Sequence, residues 1–132
     1  MLYTISDAWV KEEVDKVTIG VSDYAQSKLG NLNYVELPEV GWEFKKEESI
    51  AVLEVWKTAT DIWVPFSGKV VETNLTLRYH PQFINEDPFG KGWIVKMAIQ
   101  DKEELKMLIS AKDYKKLVLS RLRLAKTSKI AD

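Results

Sequence analysis

Hydrophobic residues over the first hundred positions fall in short runs and two-residue alternations, a strand pattern, and a helical period takes over only after Asp101. Tyr3-Thr4-Ile5 through Trp9-Val10 reads as extended, and a polar turn at Glu12-Glu13 leads to a second strand over Asp15 to Val21. Ser22 is a good N-cap for a short helix from Asp23 to Leu29, closed by Gly30 in the C′ position. Asn31 to Leu37 alternates around Leu32, Tyr34, Val35 and Leu37 and stops at Pro38, and Gly41 to Phe44 starts the next strand.

Mid-chain, two strands meet at a tip. Ser49 to Val55 is a mostly apolar run of strand length, and Ile62 to Pro65 is a second. Phe66 to Val71 turns and restarts a third, bounded by Gly and Pro as strands are. Between the first two lies a single lysine, Lys57. At the apex of a hairpin its amine stands in water on a rigid stalk, where a long covalent cofactor would have to be attached in order to swing.

Beyond the hairpin, Lys69 to Leu77 predicts one long strand, Pro81 to Asn85 one helical turn, Asp87 to Gly90 a turn, and Gly92 to Ile99 another strand. Asp101 caps a helix over Lys102 to Ile109. Ser110 or Asp113 starts the last one, with Tyr114, Leu117, Val118 and Leu122 on one face. Strands at short spacing followed by helices predict a mainly β (α+β) fold. The expected form is a small sandwich or flattened barrel of two small sheets, with a short helix in its N-terminal half. The 132 residues suffice for a single domain, 1–132, with 101–132 as its C-terminal helical cover.

Composition narrows the chemistry. There is no cysteine, so disulfides, thiolate metal sites and thiol nucleophiles are excluded, and any sulfur chemistry must be carried by a cofactor. The apolar runs are too short to span a bilayer, and the N-terminus lacks the basic and apolar regions of a secretion signal. The expected compartment is the cytoplasm, or an organelle matrix after processing. The net charge of −1 hides an asymmetry: residues 1–110 hold 12 Lys/Arg against 18 Asp/Glu, and residues 111–132 hold 7 against 2.

The basic tail reads as a solvated helix face. Its charges are interleaved with Leu117, Leu119, Leu122 and Leu124, and the acidic body would repel phosphates, so neither nucleic acid nor a membrane is an expected partner. His80, between Tyr79 and Pro81, has no metal-ligand company and reads as structural or surface. Asn74-Leu75-Thr76 matches a glycosylation acceptor but follows no secretory signal, so Asn74 reads as a turn or strand-end residue. Asp87-Pro88 with Gly90 and Gly92 reads as turns, since no helix follows to make a phosphate loop. No residue set resembles a nucleophile–base pair or a metal site.

The chain resembles the H-protein of the glycine cleavage system, a member of the biotinyl/lipoyl-carrier fold. The residues carrying the likeness are Tyr3-Thr4, Trp9-Val10, Ile19 to Gln26, Leu29-Gly30, Tyr34 to Gly41, Pro65 with Ser67-Gly68, Asn74, and Asn85 to Gly90 with Gly92-Trp93. The resemblance implies a lipoate carried covalently on the tip lysine, here Lys57. It also implies that Glu54 and Asp61 flank that lysine as part of the surface read by the lipoate–protein ligase and partner enzymes, with Trp56 beside it.

Departures from the family pattern are specific. Where H-proteins carry His-Glu-Trp, this chain has Asp7-Ala8-Trp9. In the family that glutamate is implicated in holding the aminomethyl group of the loaded arm, together with the acid matched by Asp61. Ala8 cannot do this, and in a strand the Asp7 side chain would point the other way. Family-typical Glu-Ser-Val-Lys-Ala stands here as Glu54-Val55-Trp56-Lys57-Thr58. Trp63 is expected in the core, and Trp56 either in the core or exposed beside the arm. Glu47 takes the place of a turn glycine, which predicts a different local backbone, and the basic tail replaces an acidic end.

Two roles follow from the resemblance, neither of them enzymatic. The first is the aminomethyl carrier of glycine cleavage. It would serve glycine decarboxylase, a tetrahydrofolate-dependent aminomethyltransferase and dihydrolipoamide dehydrogenase. The alternative is an H-like lipoate-binding protein carrying sulfur for a heterodisulfide-reductase-like system.

Overall fold

The computed structural model describes the backbone of residues 1–131 and the side chains of residues 1–126. The fold is mainly β, in two antiparallel sheets. Strands β1 (Leu2–Tyr3), β2 (Ala8–Glu12) and β3 (Val17–Val21) form a meander, followed by helix α1 (Asp23–Leu29) and strand β4 (Tyr34–Glu36). Then come β5 (Glu43–Phe44), β6 (Ser49–Glu54), β7 (Ala59–Trp63) and β8 (Gly68–Thr73). Helix α2 (Phe83–Glu86), β9 (Val95–Ile99), β10 (Ile109–Ser110) and helix α3 (Ala111–Ala131) complete the order. One sheet runs β10-β1-β2-β3-β9-β8-β5 and the other β4-β6-β7, so the expected pair of sheets is present as two open sheets.

Both sheets contribute to one core. Val10, Ile19, Val21, Val70 and Met97 meet Val35, Ile50, Leu53, Ile62 and Val64 there, all buried. Trp9 is buried and lies across from Gly20. Only glycine fits there, because a Cβ at residue 20 would lie 2.5 Å from the indole. The Trp9 indole nitrogen donates to the Pro88 carbonyl at 2.9 Å, which ties the meander to the turn after α2.

Several expectations are corrected. The extended segment from Tyr3 to Val10 is broken at residues 4–7, where Asp7 takes φ 72°. The strand expected from Lys69 to Leu77 stops at Thr73, and Leu75–Arg78 is a 3₁₀ turn. Asn74 causes the break: its side-chain amide donates to the carbonyls of Lys91 and Trp93 at 2.9 and 2.7 Å, and the turn carries Leu77 into the core. The strand expected from Gly92 begins at Val95, since Gly92 is used in the preceding turn. The helix expected over Lys102 to Ile109 is a 3₁₀ segment, Lys102–Met107, capped by Asp101, and Ile109–Ser110 instead pairs with β1. The span 101–132 therefore adds a strand as well as helices.

Glu47 contradicts the expected backbone change. It adopts φ 71° itself, keeping a conformation suited to glycine while its amide donates to the Val64 carbonyl at 2.8 Å. Trp63, expected in the core, is half-buried at the end of β7. The apolar face of α3 also fades early: Tyr114 is buried, Leu117 and Val118 are half-buried, and Leu122 is exposed.

Candidate functional site

The tip expected from the sequence forms where β6 and β7 meet. Glu54 pairs with Ala59, and the Val55 amide donates to the Thr58 carbonyl at 3.0 Å, leaving Trp56 and Lys57 as the loop. Neither loop residue has positive φ, so the tip needs no glycine. Lys57 is exposed, and no hydrogen bond or ion pair to a described residue holds its amine. Trp56 beside it is 85% exposed. A free amine on a two-residue tip, backed by buried Leu53, fits a covalently attached arm.

Register sorts the neighbouring side chains onto two faces. Val52 pairs with Asp61 and Glu54 with Ala59, so Glu54 and Asp61 share the outer face, joined there by Tyr34 and Glu36 of β4. Asp61 accepts a hydrogen bond from the Ser49 hydroxyl at 2.8 Å. Leu53 pairs with Thr60 and Ala51 with Ile62 on the inner face. On that side a cleft of about 200 Å³ opens between β7, α1 and the β1–β2 turn, lined by Thr60, Ile62, Ala25, Leu29, Ser6 and Asp7, among others. The structure thus brings Glu54, Trp56, Lys57 and Asp61 together at one end of the hairpin, but turns both acids away from the cleft.

A second cluster gathers on Asp7, which lines the cleft. Arg121 of α3 pairs with Oδ1 of Asp7 and donates to the Ile5 carbonyl at 2.7 Å. The Tyr114 hydroxyl donates to the same Asp7 oxygen at 2.9 Å and lies 2.6 Å from the Ser22 hydroxyl, which accepts from the Ala25 amide as the cap of α1. The Tyr114 ring stacks on Tyr3 with centroids 4.3 Å apart. Burial pushes the Tyr114 hydroxyl well above its ordinary value, and the adjacent Asp7 carboxylate pushes it the same way. Burial disfavours the charge on Arg121, yet its bond and charge contact with Asp7 leave its pKa raised.

A family model described as glycine cleavage H-protein matches residues 1–121. This chain belongs to that family. The glycine cleavage system H protein of Thermus thermophilus is 44% identical over 118 residues, covering 89% of this chain and 92% of that protein. The protein of the same name from Halothermothrix orenii is 42% identical over 114 residues, covering 86% of this chain and 89% of its own length. The crystal structure of a glycine cleavage system H protein from Mycobacterium marinum superposes with a TM-score of 0.73 at 32% identity, over 86% of this chain and 91% of that one.

H-proteins are lipoyl carriers of glycine cleavage rather than catalysts, and this chain is one of them. None of these likenesses favours the sulfur-carrying alternative. Within the H-protein frame, Ala8 is 1% exposed and sealed in β2 opposite Val21, whereas Asp7 sits at the cleft. Arg121 was not among the residues singled out from the sequence, and Tyr114 was expected only as part of an apolar face. Their seven-residue spacing, which places both on one helix face, is the signal that could have joined them. His80 stacks on Phe83, and among the described residues no group of three His, Cys, Asp or Glu side chains could hold a metal.

Proposed function

We propose that this H-protein carries its lipoyl group on Lys57 and serves glycine cleavage as a substrate of partner enzymes. The observation that supports the reading is the exposed Lys57 amine, without a partner among the described residues, on the tip of β6–β7 inside the family match. When attached, lipoate supplies the dithiolane that a chain without cysteine lacks.

The protein's own residues supply placement and recognition. The β6–β7 ladder, which runs from Ser49–Trp63 to Glu54–Ala59, fixes the stalk. Glu54 and Asp61 give its outer face a negative charge that steers a basic surface toward the tip. Trp56 offers a rigid apolar anchor next to the attachment point, of the kind that dominates protein interfaces. The partners on this reading are a lipoate–protein ligase, glycine decarboxylase, the aminomethyltransferase and dihydrolipoamide dehydrogenase, with residues 1–132 acting as one carrier domain in the cytoplasm. Among the described residues no helix is long and apolar enough to cross a membrane.

Intact-mass analysis after treatment with a lipoate–protein ligase tests the assignment. The parent chain gains one lipoyl group and Lys57→Ala gains none while remaining folded. A lipoyl mass shift that survives Lys57→Ala overturns it. Glycine-dependent bicarbonate exchange with glycine decarboxylase tests the role: the lipoylated protein supports exchange, and failure of a fully lipoylated, folded protein refutes it.

A further inference from the structure

Helix α3 has a face that the single chain leaves uncovered. At about 100° per residue, Lys112, Lys115, Leu119, Leu122 and Lys126 fall within an arc of about 80°, away from Tyr114 and Arg121, which bind the body. The three lysines are exposed, and no ion pair to a described residue holds them. Leu119 and Leu122 between them are 49% and 51% exposed. Asp113 lies off this arc, so the stripe is basic with two leucines at its centre. The family match ends at residue 121, within the stripe. Inside one chain α3 packs on β1 and β10, both in the larger sheet.

Its complement is the outer face of the β4-β6-β7 sheet. Two adjacent cross-strand rows there, Tyr34–Glu54–Ala59 and Glu36–Val52–Asp61, carry three acids and no lysine or arginine. Beside them a groove of about 270 Å³ opens, lined by Glu36, Pro38, Trp42, Phe44, Ser49 and Val52, among others. Glu36 and Val52 belong to both, so acids and groove form one surface, on which Trp42 is 51% exposed. From Glu54 to Ser49 this face is five residues of strand long, about 17 Å. From Lys115 to Lys126 the stripe is eleven residues of helix long, also about 17 Å.

We infer that the protein pairs with a second copy of itself, helix α3 of each copy lying along the outer sheet face of the other. Leu119 and Leu122 enter the groove beside Trp42 and Val52, and Lys115 and Lys126 meet Glu36, Glu54 and Asp61. Charge complementarity names the occupant. Residues 111–132 hold 7 Lys/Arg against 2 Asp/Glu and residues 1–110 hold 12 against 18, so each copy offers both halves of the contact. Made once in each direction, the contact closes a two-fold dimer and leaves neither surface open. The inference goes beyond the carrier reading and does not depend on it. If the carrier reading holds, the pairing covers Glu54 and Asp61, and self-association competes with the enzymes that read them.

Sedimentation equilibrium of the full chain tests it. The parent dimerises at low salt, and its dissociation constant rises about tenfold or more between about 50 and 500 mM salt, as the screening length falls to a few ångströms. Lys115→Glu with Lys126→Glu gives a monomer, and so does Glu36→Lys with Glu54→Lys. None of the four is a buried residue, so thermal melts of both variants match the parent. An equimolar mixture of the two variants dimerises again, because reversed helix meets reversed face while parent helix meets parent face. A parent that stays monomeric at low salt overturns the inference, as does a dimer that survives either reversal, or a mixture that does not associate. Should the parent be monomeric and the reversed helix instead weaken its use by glycine decarboxylase, α3 docks on an enzyme, and self-pairing is equally overturned.

Discussion

Glu47 should be a site where glycine makes the protein more stable. Its φ of 71° lies in the left-handed region, which costs an L-residue with a Cβ about 1–2 kcal/mol. Its side chain is exposed, and the hydrogen bond that holds the residue, from its amide to the Val64 carbonyl at 2.8 Å, belongs to the backbone and survives substitution. Glycine removes the steric cost but frees the unfolded chain, returning about 0.4–1 kcal/mol. The net expectation for Glu47→Gly is a gain of about 0.5–1 kcal/mol, or roughly 2–4 °C in Tm for a domain of this size.

Urea unfolding at constant m, checked by thermal melts, measures the gain. Glu47→Ala is the control, since it removes the carboxylate but keeps the Cβ and hence the strain. The reasoning is refuted if Glu47→Gly is neutral or destabilising, or if Glu47→Ala gains as much. The second result would assign the effect to charge.

Other consequences follow from single contacts. Gly20→Ala should cost about 1–3 kcal/mol, because its Cβ would sit 2.5 Å from the Trp9 indole, and near-UV circular dichroism should report the displaced ring. Trp56→Ala should leave Tm unchanged, since the side chain is 85% exposed, and raise the KM for the carrier in glycine decarboxylase assays by about tenfold or more. Tyr114→Phe should cost about 1–3 kcal/mol by leaving the Ser22 hydroxyl and Asp7 short of a partner, measured by urea unfolding. Tyr114 and Tyr3 both have hydroxyl pKa values raised by burial, so the folded state holds protons that the unfolded state releases above about pH 10. Their contribution is therefore complete below that pH and lost as pH rises beyond it, and Tyr114→Phe should flatten the decline in a pH series of melts.

The hairpin and its lysine were legible in the sequence because both signals are local. Apolar runs from Ser49 and Ile62 flank the tip that carries Lys57, whereas the shared face of Glu54 and Asp61 depends on the cross-strand register, which the sequence did not supply. Helix α1 was legible for the same reason, with Ser22 and Gly30 marking its ends within eight residues of each other. Boundaries failed where a side chain far along the chain decided them. Asn74 ends β8 by bonding carbonyls 17 and 19 residues away, which no propensity of its own neighbours would indicate. Glu47 failed differently: a residue with a Cβ occupies a glycine conformation because the surrounding turn imposes it.

The cluster at Asp7 lies furthest from anything local. Its turn, the cap of α1 and helix α3 converge through contacts spanning 92, 107 and 114 residues. Read by sign alone, the basic tail is a solvated face, and most of its described charges are exposed. Arg121 differs because Tyr114, one heptad before it, is buried against Tyr3 and brings that face of α3 over residues 5–7. Burying one aromatic ring thus determines which of the tail's charges meets an acid. If that packing sets the pair, Tyr114→Ala should abolish the Arg121–Asp7 contact, seen as loss of Arg121 side-chain protection in ¹⁵N spectra, whereas Tyr114→Phe should retain it. Equal protection in the two variants would mean that charge alone, and not the ring, holds α3 over residues 5–7.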